Sequence, residues 1–279
     1  MVYYFSMAGL RLACDMPFEL GIGPESRPFL SQEAAWDIYA EFVPVQELPP
    51  IPEDAVMIGG RYYVGEEIWH RISAIHPPYA YVRWQGKGAT CYYLKDWERE
   101  LNTARCLWDL LGLENIFLIQ EGLILHSSFV CWKNQGILFS APSGTGKSTQ
   151  ADLWEKYLGS RTLNGDRAAL RCIHDTWTAF GLPYAGSSGI YRNEAASVAA
   201  IVTLSQGPEN EITRLTPMEA VRRLLPEFTI HRWDGNFVSR AMSLVLQLVQ
   251  QVPVYHLSCR PDEGAVRLLH DTIKKEVPL

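Results

Sequence analysis

The sequence lacks the features that mark nucleic-acid-binding and membrane-spanning proteins. It contains no run of five or more basic residues, and 25 Lys and Arg against 31 Asp and Glu give a net charge of −6. Binding to a phosphate backbone needs clustered basic side chains, so no nucleic-acid partner is expected. The apolar runs are all far shorter than the ~20 residues that cross a bilayer, so no membrane association is expected either.

Patterned cysteines and a secretion signal are also missing. The six cysteines are scattered and none forms a C-x-x-C pair, which argues against a zinc site or a disulfide framework. They are expected to be buried, reduced thiols. Residues 1–5 lack the basic start and the apolar core of a signal peptide, so a cytoplasmic protein is expected.

The sequence does contain a change of pattern near residue 97. Before it, aromatic residues are frequent, and residues 79–93 predict a β-hairpin with a glycine-bearing loop. After it, apolar residues recur at helical spacing on one face, at Leu101, Ala104, Leu107, Trp108 and Leu111. We therefore expect a β-rich accessory domain over residues 1–96, which recognises the partner, and a second domain over residues 97–279.

Strands and helices are mixed in the second part. Residues 123–132 and 136–140 predict two strands, and the three residues between them are too few for a crossover helix, so the strands should be antiparallel neighbours. Further strands are predicted over 162–164, 168–173, 198–204 and 252–257, and helices over 148–158, 216–225, 237–250 and 262–274. This pattern predicts an α/β core with a mixed sheet.

A glycine-rich segment lies between the strand at 136–140 and the helix that follows. It consists of Ala141, Pro142, Ser143, Gly144, Thr145, Gly146, Lys147, Ser148 and Thr149. Strand, glycine-rich loop and helix together are the setting of a phosphate-binding P-loop. The glycines allow backbone N–H groups to turn toward phosphates, Lys147 can reach the β- and γ-phosphates, and the Ser148 hydroxyl can bind Mg²⁺. Residues 143–149 are therefore predicted to bind ATP and Mg²⁺.

One position departs from the usual pattern of this loop. The first glycine is replaced by Ala141, which is compatible with the loop if its φ angle lies in the ordinary range. The alternative is a glycine-rich turn that only begins a structural helix. It is the weaker interpretation, because a lysine followed by two hydroxyl residues has no evident use in packing.

Side chains beyond the loop are further candidates. Asp166 follows a predicted strand 19 residues after Lys147 and suits a Mg²⁺ ligand, although a turn carboxylate after Asn164 and Gly165 would show the same pattern. His126 lies inside an apolar strand, where a histidine is often a core residue with satisfied hydrogen bonds. Arg192 follows a loop of small residues and could bind phosphate or lie in solvent.

With these residues in place, the chain resembles HPr kinase/phosphorylase and its relatives, whose fold is shared with ATP-dependent phosphoenolpyruvate carboxykinase. The resemblance covers roughly residues 120–275 and depends on three segments in matching order. Residues 125–130 are similar to the His-bearing strand of that family, residues 143–148 to its nucleotide loop, and residues 163–167 to its acidic strand end. The likeness is closer to the shorter HPr-kinase-like proteins, some of which phosphorylate peptide or amino-acid hydroxyls.

The resemblance implies a phosphoenolpyruvate carboxykinase-like P-loop core with a β-rich N-terminal domain. It implies an ATP-dependent, serine-kinase-like transferase in which Asp166, His126 and Lys147 are catalytic and in which Ser148 and Asp166 hold Mg²⁺. His126 would hold or protonate the network of Asp166 and the acceptor. The acceptor would be a hydroxyl of a peptide, a small protein or an amino acid, and a homo-oligomer is compatible with the sequence.

Two alternatives remain beside this interpretation. The family usually shows two adjacent aspartates, and here Gly165 takes the first position, so a non-catalytic ATP-binding regulatory protein of the same fold is the first alternative. Decarboxylation of the carboxykinase kind is disfavoured, because the chain is short and shows no Lys, His and Asp set for a second metal. His231 and Asp234 do not by themselves make a metal site.

Overall fold

In a computed structural model, the chain folds into two compact units, Met1–Leu113 and Glu114–Leu279. Over the residues that the structure describes, no helix is both long enough and apolar enough to cross a membrane. The elements make a mixed α/β protein with one eight-stranded sheet in each unit. The described residues are 1–19, 21–58, 62–65, 69–72, 78–184 and 186–276.

The first unit is built around a sheet in the order β1-β2-β3-β8-β7-β6-β5-β4. Its strands are β1 (Val2–Met7), β2 (Leu10–Asp15), β3 (Ile38–Val45), β4 (Val56–Ile58), β5 (Tyr62–Val64), β6 (Trp69–Ile72), β7 (Ala80–Gln85) and β8 (Gly88–Leu94). β3 is parallel to both β2 and β8, and the other neighbours are antiparallel. The hairpin expected over residues 79–93 is confirmed as β7 and β8, and its turn places Gly86 at φ 59°.

Two helices follow this sheet, α1 (Glu98–Leu101) and α2 (Ala104–Leu111). Thr103 begins α2 by accepting a hydrogen bond from the Cys106 N–H, and Gly112 ends it with φ 65°. The apolar face expected from the sequence is confirmed, since all five of its residues are buried: Leu101, Ala104, Leu107, Trp108 and Leu111.

The boundary between the units falls later than the boundary expected after residue 96. α2 stays with the first unit because Trp108 packs edge-on against Phe5, with 4.9 Å between ring centroids, and donates a hydrogen bond to Ser26 Oγ at 3.0 Å. Asn102, just before α2, accepts a hydrogen bond from the Gly23 N–H. The helical periodicity that begins near residue 97 therefore belongs to the end of one unit and not to the start of the next.

The second unit contains the other sheet, in the order β10-β9-β12-β13-β14-β16-β15, with β11 beside β9. Its strands are β9 (Gly122–Trp132), β10 (Gln135–Ser140), β11 (Arg161–Asn164), β12 (Arg167–Ile173), β13 (Thr176–Gly181), β14 (Ala195–Gln206), β15 (Glu211–Arg214) and β16 (Val254–Cys259). β9 and β10 are antiparallel, as predicted, while β14 is parallel to both β10 and β16. The strands β13 and β15 are additional to those expected from the sequence.

Five strands of this sheet form a closed ring. β10 pairs with β9, β9 with β12, β12 with β13, β13 with β14, and β14 again with β10. The first half of β9 pairs with β12, and its second half pairs with β10. Because β10, β14 and β16 are parallel neighbours, their C-terminal ends lie at one edge of the sheet.

The helices of the second unit are α3 (Leu113–Ile119), α4 (Lys147–Leu158), α5 (Pro217–Leu224), α6 (Gly235–Gln251) and α7 (Glu263–Glu276). Two consecutive residues of β10 show how they are arranged. Leu138 belongs to a hydrophobic cluster that includes residues of α5 and α6, whereas Phe139 belongs to one that includes residues of α4 and α7. Since successive side chains of a strand point to opposite faces, α5 and α6 cover one face of the sheet and α4 and α7 the other.

Candidate functional site

A tight loop with two left-handed glycines joins β10 to α4. Gly144 and Gly146 have φ angles of 81° and 118°, which side-chain-bearing residues rarely adopt, and Gly146 directly precedes α4. No atom lies within 4 Å of the position that a Cβ would take at either glycine. The backbone of the loop is therefore open to a ligand, as a cradle for phosphates requires.

The departure at Ala141 is explained by its packing. Ala141 does not have a positive φ angle, and its side chain is buried in the cluster that contains Phe139 and Trp154. The loop therefore needs no glycine at this position, and the methyl group contributes to the core beneath the loop.

Lys147, the first residue of α4, turns its side chain back toward the loop. Its Nζ donates hydrogen bonds to Ala141 O at 2.6 Å and to Pro142 O at 3.4 Å. Burial lowers the pKa of the ammonium group, and the Glu227 and Asp166 carboxylates act in the opposite direction. Carbonyl oxygens do not neutralise a charge, so this partly desolvated cation favours an anionic ligand on the loop.

The next two residues, Ser148 and Thr149, are exposed on the first turn of α4. Their side-chain hydroxyls are thus accessible at the end of the helix where backbone N–H groups attract anions. Gln150, which follows them, is buried and donates a hydrogen bond from Nε2 to Cys259 Sγ at 3.2 Å.

A pocket of ≈ 430 Å³ lies beside the loop. It is formed by the loop, the first turn of α4 and the C-terminal ends of β14 and β16, which the parallel pairing brings to the same edge. Its volume is within the range of small-molecule sites. Its walls combine apolar and polar side chains and consist of Gly144, Thr145, Gly146, Thr149, Gln150, Leu204, Gln206, Gly207, Cys259, Arg260 and Pro261.

Asp166 lies in the turn between β11 and β12, and buried Asn164 determines the shape of this turn. Asn164 Oδ1 accepts hydrogen bonds from the N–H groups of Asp166 at 2.8 Å and Arg167 at 2.9 Å, and its Nδ2 donates to Tyr184 O at 2.9 Å. The Asp166 carboxylate is 28% exposed and lies 3.5 Å from Arg167 Nε. A ligand from solvent can therefore reach it.

His126 lies between two carboxylates. Its side chain is 32% exposed, with Nδ1 at 3.0 Å from Glu227 Oε2 and Nε2 at 3.8 Å from Asp166 Oδ1. A histidine of the closed core would be shielded from solvent, and His126 is not. The structure thus brings together two of the candidates, His126 and Asp166.

Glu227 is the residue of this group that the sequence did not indicate. It ends a 3₁₀ turn, Leu225–Glu227, directly after α5, and is only 12% exposed. The turn is held beside β9 by a bridge between Leu125 and Phe228 and by a hydrogen bond from the Thr229 N–H to Ile124 O at 3.0 Å. The one local signal is a proline followed by an acidic residue and a short apolar run after a predicted helix.

Arg192 has a structural role in this arrangement. Its N–H donates to Leu163 O at 3.0 Å and its Nε to Thr162 O at 3.2 Å, so it is tied to β11. The small-residue loop that precedes it contacts the site at Gly186, where a Cβ would lie 2.9 Å from the Cβ of Asp166. The absence of a side chain at Gly186 keeps the Asp166 carboxylate accessible.

His231 and Asp234, the remaining candidates, have structural contacts. Buried His231 bonds Glu114 Oε1 through Nε2 at 3.0 Å and stacks on Phe237, while Asp234 caps α6 by accepting from the Asn236 N–H at 2.9 Å. Within the described ranges no group of three or more His, Cys, Asp or Glu residues is placed to hold a metal ion. The cysteines are all free, and three of the six, Cys14, Cys91 and Cys259, are buried.

Comparison with known proteins adds little to this geometry. No protein-family model matches the chain, and no curated protein matches it. Among solved structures, the Hpr(Ser) kinase/phosphatase from Coxiella burnetii is similar at 12% sequence identity and a TM-score of 0.30, over 55% of this chain and 88% of that chain. A similarity this low carries no conclusion about what the present chain does.

Proposed function

We propose that the second unit binds Mg-ATP at the loop of residues 141–148 and transfers the γ-phosphate to a hydroxyl of a peptide, a small protein or an amino acid. One observation carries the proposal. Ser140, the last residue of β10 before the loop, donates a hydrogen bond from its Oγ to His126 O at 3.0 Å, and the Ser127 N–H donates to Asp166 O at 2.9 Å. The open loop and the carboxylate–histidine group are therefore parts of one site, as phosphoryl transfer requires.

The residues of the loop suit the phosphates of a nucleotide. The N–H groups at the start of α4 and the Lys147 ammonium supply positive charge, and the adjacent pocket has room for the remainder of the nucleotide. Transfer forms a bond between the acceptor oxygen and the γ-phosphorus, breaks the bond from the γ-phosphorus to the β,γ-bridging oxygen, and leaves ADP. The partly exposed Asp166 and His126 are where an acceptor hydroxyl can approach.

Magnesium also fits the donor set. Mg²⁺ retains several waters and usually takes one or two carboxylates plus phosphate oxygens, so it does not need a preformed cluster of protein ligands. The exposed Ser148 hydroxyl and the Asp166 carboxylate would hold it. When bound, the ion supplies positive charge to the phosphate oxygens.

A non-catalytic ATP-binding protein is the second candidate, and Gly165 favours it. This glycine stands where the resembling family usually has an aspartate, so a carboxylate is lost from the acidic strand end. Release of ADP separates the two candidates. If the chain is a kinase, it releases ADP faster when hydroxyl-bearing acceptors are added. If it is a regulatory protein, it binds ATP, is stabilised by it, and releases no ADP above the background rate.

Filling the pocket tests whether it holds part of the nucleotide. Thr149 lines the pocket and is exposed, so we expect Thr149→Trp to fold normally and to weaken ATP binding by about tenfold or more, because the indole occupies the space. Isothermal titration with Mg-ATP measures this loss. Glu155→Trp, an exposed position on α4 outside the pocket, is the matched control. Equal affinities of the two variants would show that the nucleotide lies elsewhere.

The first unit is proposed to recognise the acceptor. Among the described residues, two hydrophobic clusters of the second unit consist of residues from 118 onward, so removal of residues 1–113 takes no member from either. We expect residues 114–279 to retain the rise in melting temperature with Mg-ATP and to lose most transfer to the native acceptor. Transfer is measured with labelled ATP on a panel of hydroxyl-bearing peptides. A shortened chain that phosphorylates its acceptor as fast as the full chain does would contradict this role.

A further inference from the structure

We infer that Glu227 and His126 form the proton-accepting pair of the transfer, with His126 Nε2 as the base and Glu227 as the residue that positions it. This inference rests on the proposed function, because it assigns the proton of the acceptor hydroxyl. It also gives the two side chains different roles: His126 accepts the proton, and Asp166 binds the metal next to the phosphates.

The contact between Glu227 and His126 determines which nitrogen carries hydrogen. Glu227 Oε2 lies 3.0 Å from His126 Nδ1, which is hydrogen-bond distance. An ionised carboxylate can only accept, so the hydrogen must be on Nδ1. In a neutral imidazole the other nitrogen, Nε2, then carries a lone pair and can take a proton.

The space next to Nε2 suits an acceptor hydroxyl. Nε2 and Asp166 Oδ1 are 3.8 Å apart, too far for a hydrogen bond with each other, so Nε2 is left to accept the single hydrogen of an incoming hydroxyl. Both side chains are partly exposed, so the hydroxyl oxygen can arrive from solvent. As the oxygen bonds to the γ-phosphorus and ADP leaves, its proton passes to Nε2 and later to water.

The position of Glu227 is fixed by its surroundings. The residue is mostly buried, and the bridge between Leu125 and Phe228 holds the 3₁₀ turn against the strand that carries His126. A carboxylate with restricted motion keeps the imidazole ring in one orientation. A general base needs such a fixed orientation because it must take the proton from one particular oxygen. Glu227 thereby supplies a second carboxylate beside His126, in addition to that of Asp166.

Two variants and a control test this pair. Glu227→Ala removes the group that fixes the tautomer, and we expect kcat to fall about a hundredfold while KM for ATP does not rise, because general-base catalysis is lost and the loop is unchanged. Glu227→Gln keeps an oxygen that can accept from Nδ1–H, so it should recover a large part of the loss. Glu211→Ala, an exposed carboxylate on β15, should turn over like the wild type.

A spectroscopic measurement on the full chain provides a readout that needs no acceptor. Side-chain ¹⁵N spectra, with His126 assigned by its absence in His126→Gln, should show hydrogen on Nδ1 in the wild type and a shift toward Nε2–H in Glu227→Ala. If Glu227→Ala keeps the wild-type kcat, or if Nε2 carries the hydrogen in the wild type, the inference is overturned while the proposed function stands. A wild-type chain that neither binds ATP nor releases ADP overturns both.

Discussion

Replacing Asp166 with asparagine should lower kcat for phosphoryl transfer by roughly a hundredfold or more. The substitution keeps the size and the planar shape of the side chain, and Asn164 still shapes the turn through backbone N–H groups. It removes the negative charge that would hold Mg²⁺ against the phosphates. The affinity for ATP should change much less, since the loop backbone and Lys147 are untouched.

Single-turnover transfer to the acceptor, or slow hydrolysis of ATP to water, measures the effect of Asp166→Asn. Asp175→Asn is the matched control, because Asp175 is also a turn carboxylate at an end of β12 and is exposed, with φ 60°. The control should be as active as the wild type. Equal rates for the two variants would mean that Asp166 is an ordinary turn residue and that the proposed mechanism is wrong.

Replacing Lys147 with alanine should abolish the rise in melting temperature that Mg-ATP produces. A ligand that binds only the folded state, present at a hundred times its Kd, raises the free energy of unfolding by about 2.7 kcal/mol. This stabilisation disappears when binding is lost. Binding depends on Lys147 because its ammonium is buried beside the loop and its hydrogen-bond acceptors there are neutral carbonyls, so a bound phosphate would give it a charged partner.

Thermal unfolding with and without Mg-ATP measures the effect of Lys147→Ala. The control is Lys156→Ala, an exposed lysine on the same helix, which removes the same charge from the chain. It should be stabilised by Mg-ATP as strongly as the wild type. If Lys147→Ala is stabilised equally, the nucleotide does not bind at this loop.

Local chemistry explains which parts of the molecule could be predicted from the sequence. Gly144 and Gly146 both have the positive φ that a tight loop requires, and β10 and α4 lie where the apolar pattern places them. The helix expected over residues 216–225 is likewise present as α5, and a capping box of Thr216 and Glu219 opens it. In each case the residues that determine the structure are close together in the sequence.

The features that the sequence did not indicate depend on distant pairs. Glu227 meets His126 across 101 positions of the chain, and no motif spacing encodes such a contact. The pocket beside the loop is likewise made by the ends of β14 and β16, whose alignment with β10 is decided by sheet topology. The expected boundary after residue 96 differs from the end of the first compact unit at Leu113, because periodicity shows that a helix exists and does not show which core buries it.

The closed ring of five strands has a consequence for biosynthesis. β10, which carries the loop, obtains its second neighbour only when β14 pairs with it, and β14 begins at Ala195, which is synthesised well after Lys147. Pairing between distant segments is slow compared with the formation of a local hairpin. In a nascent chain, the loop residues are therefore synthesised before the sheet that supports them is complete. The ability to bind a nucleotide should arise late in translation, in one cooperative step, when β14 pairs with β10 and closes the ring.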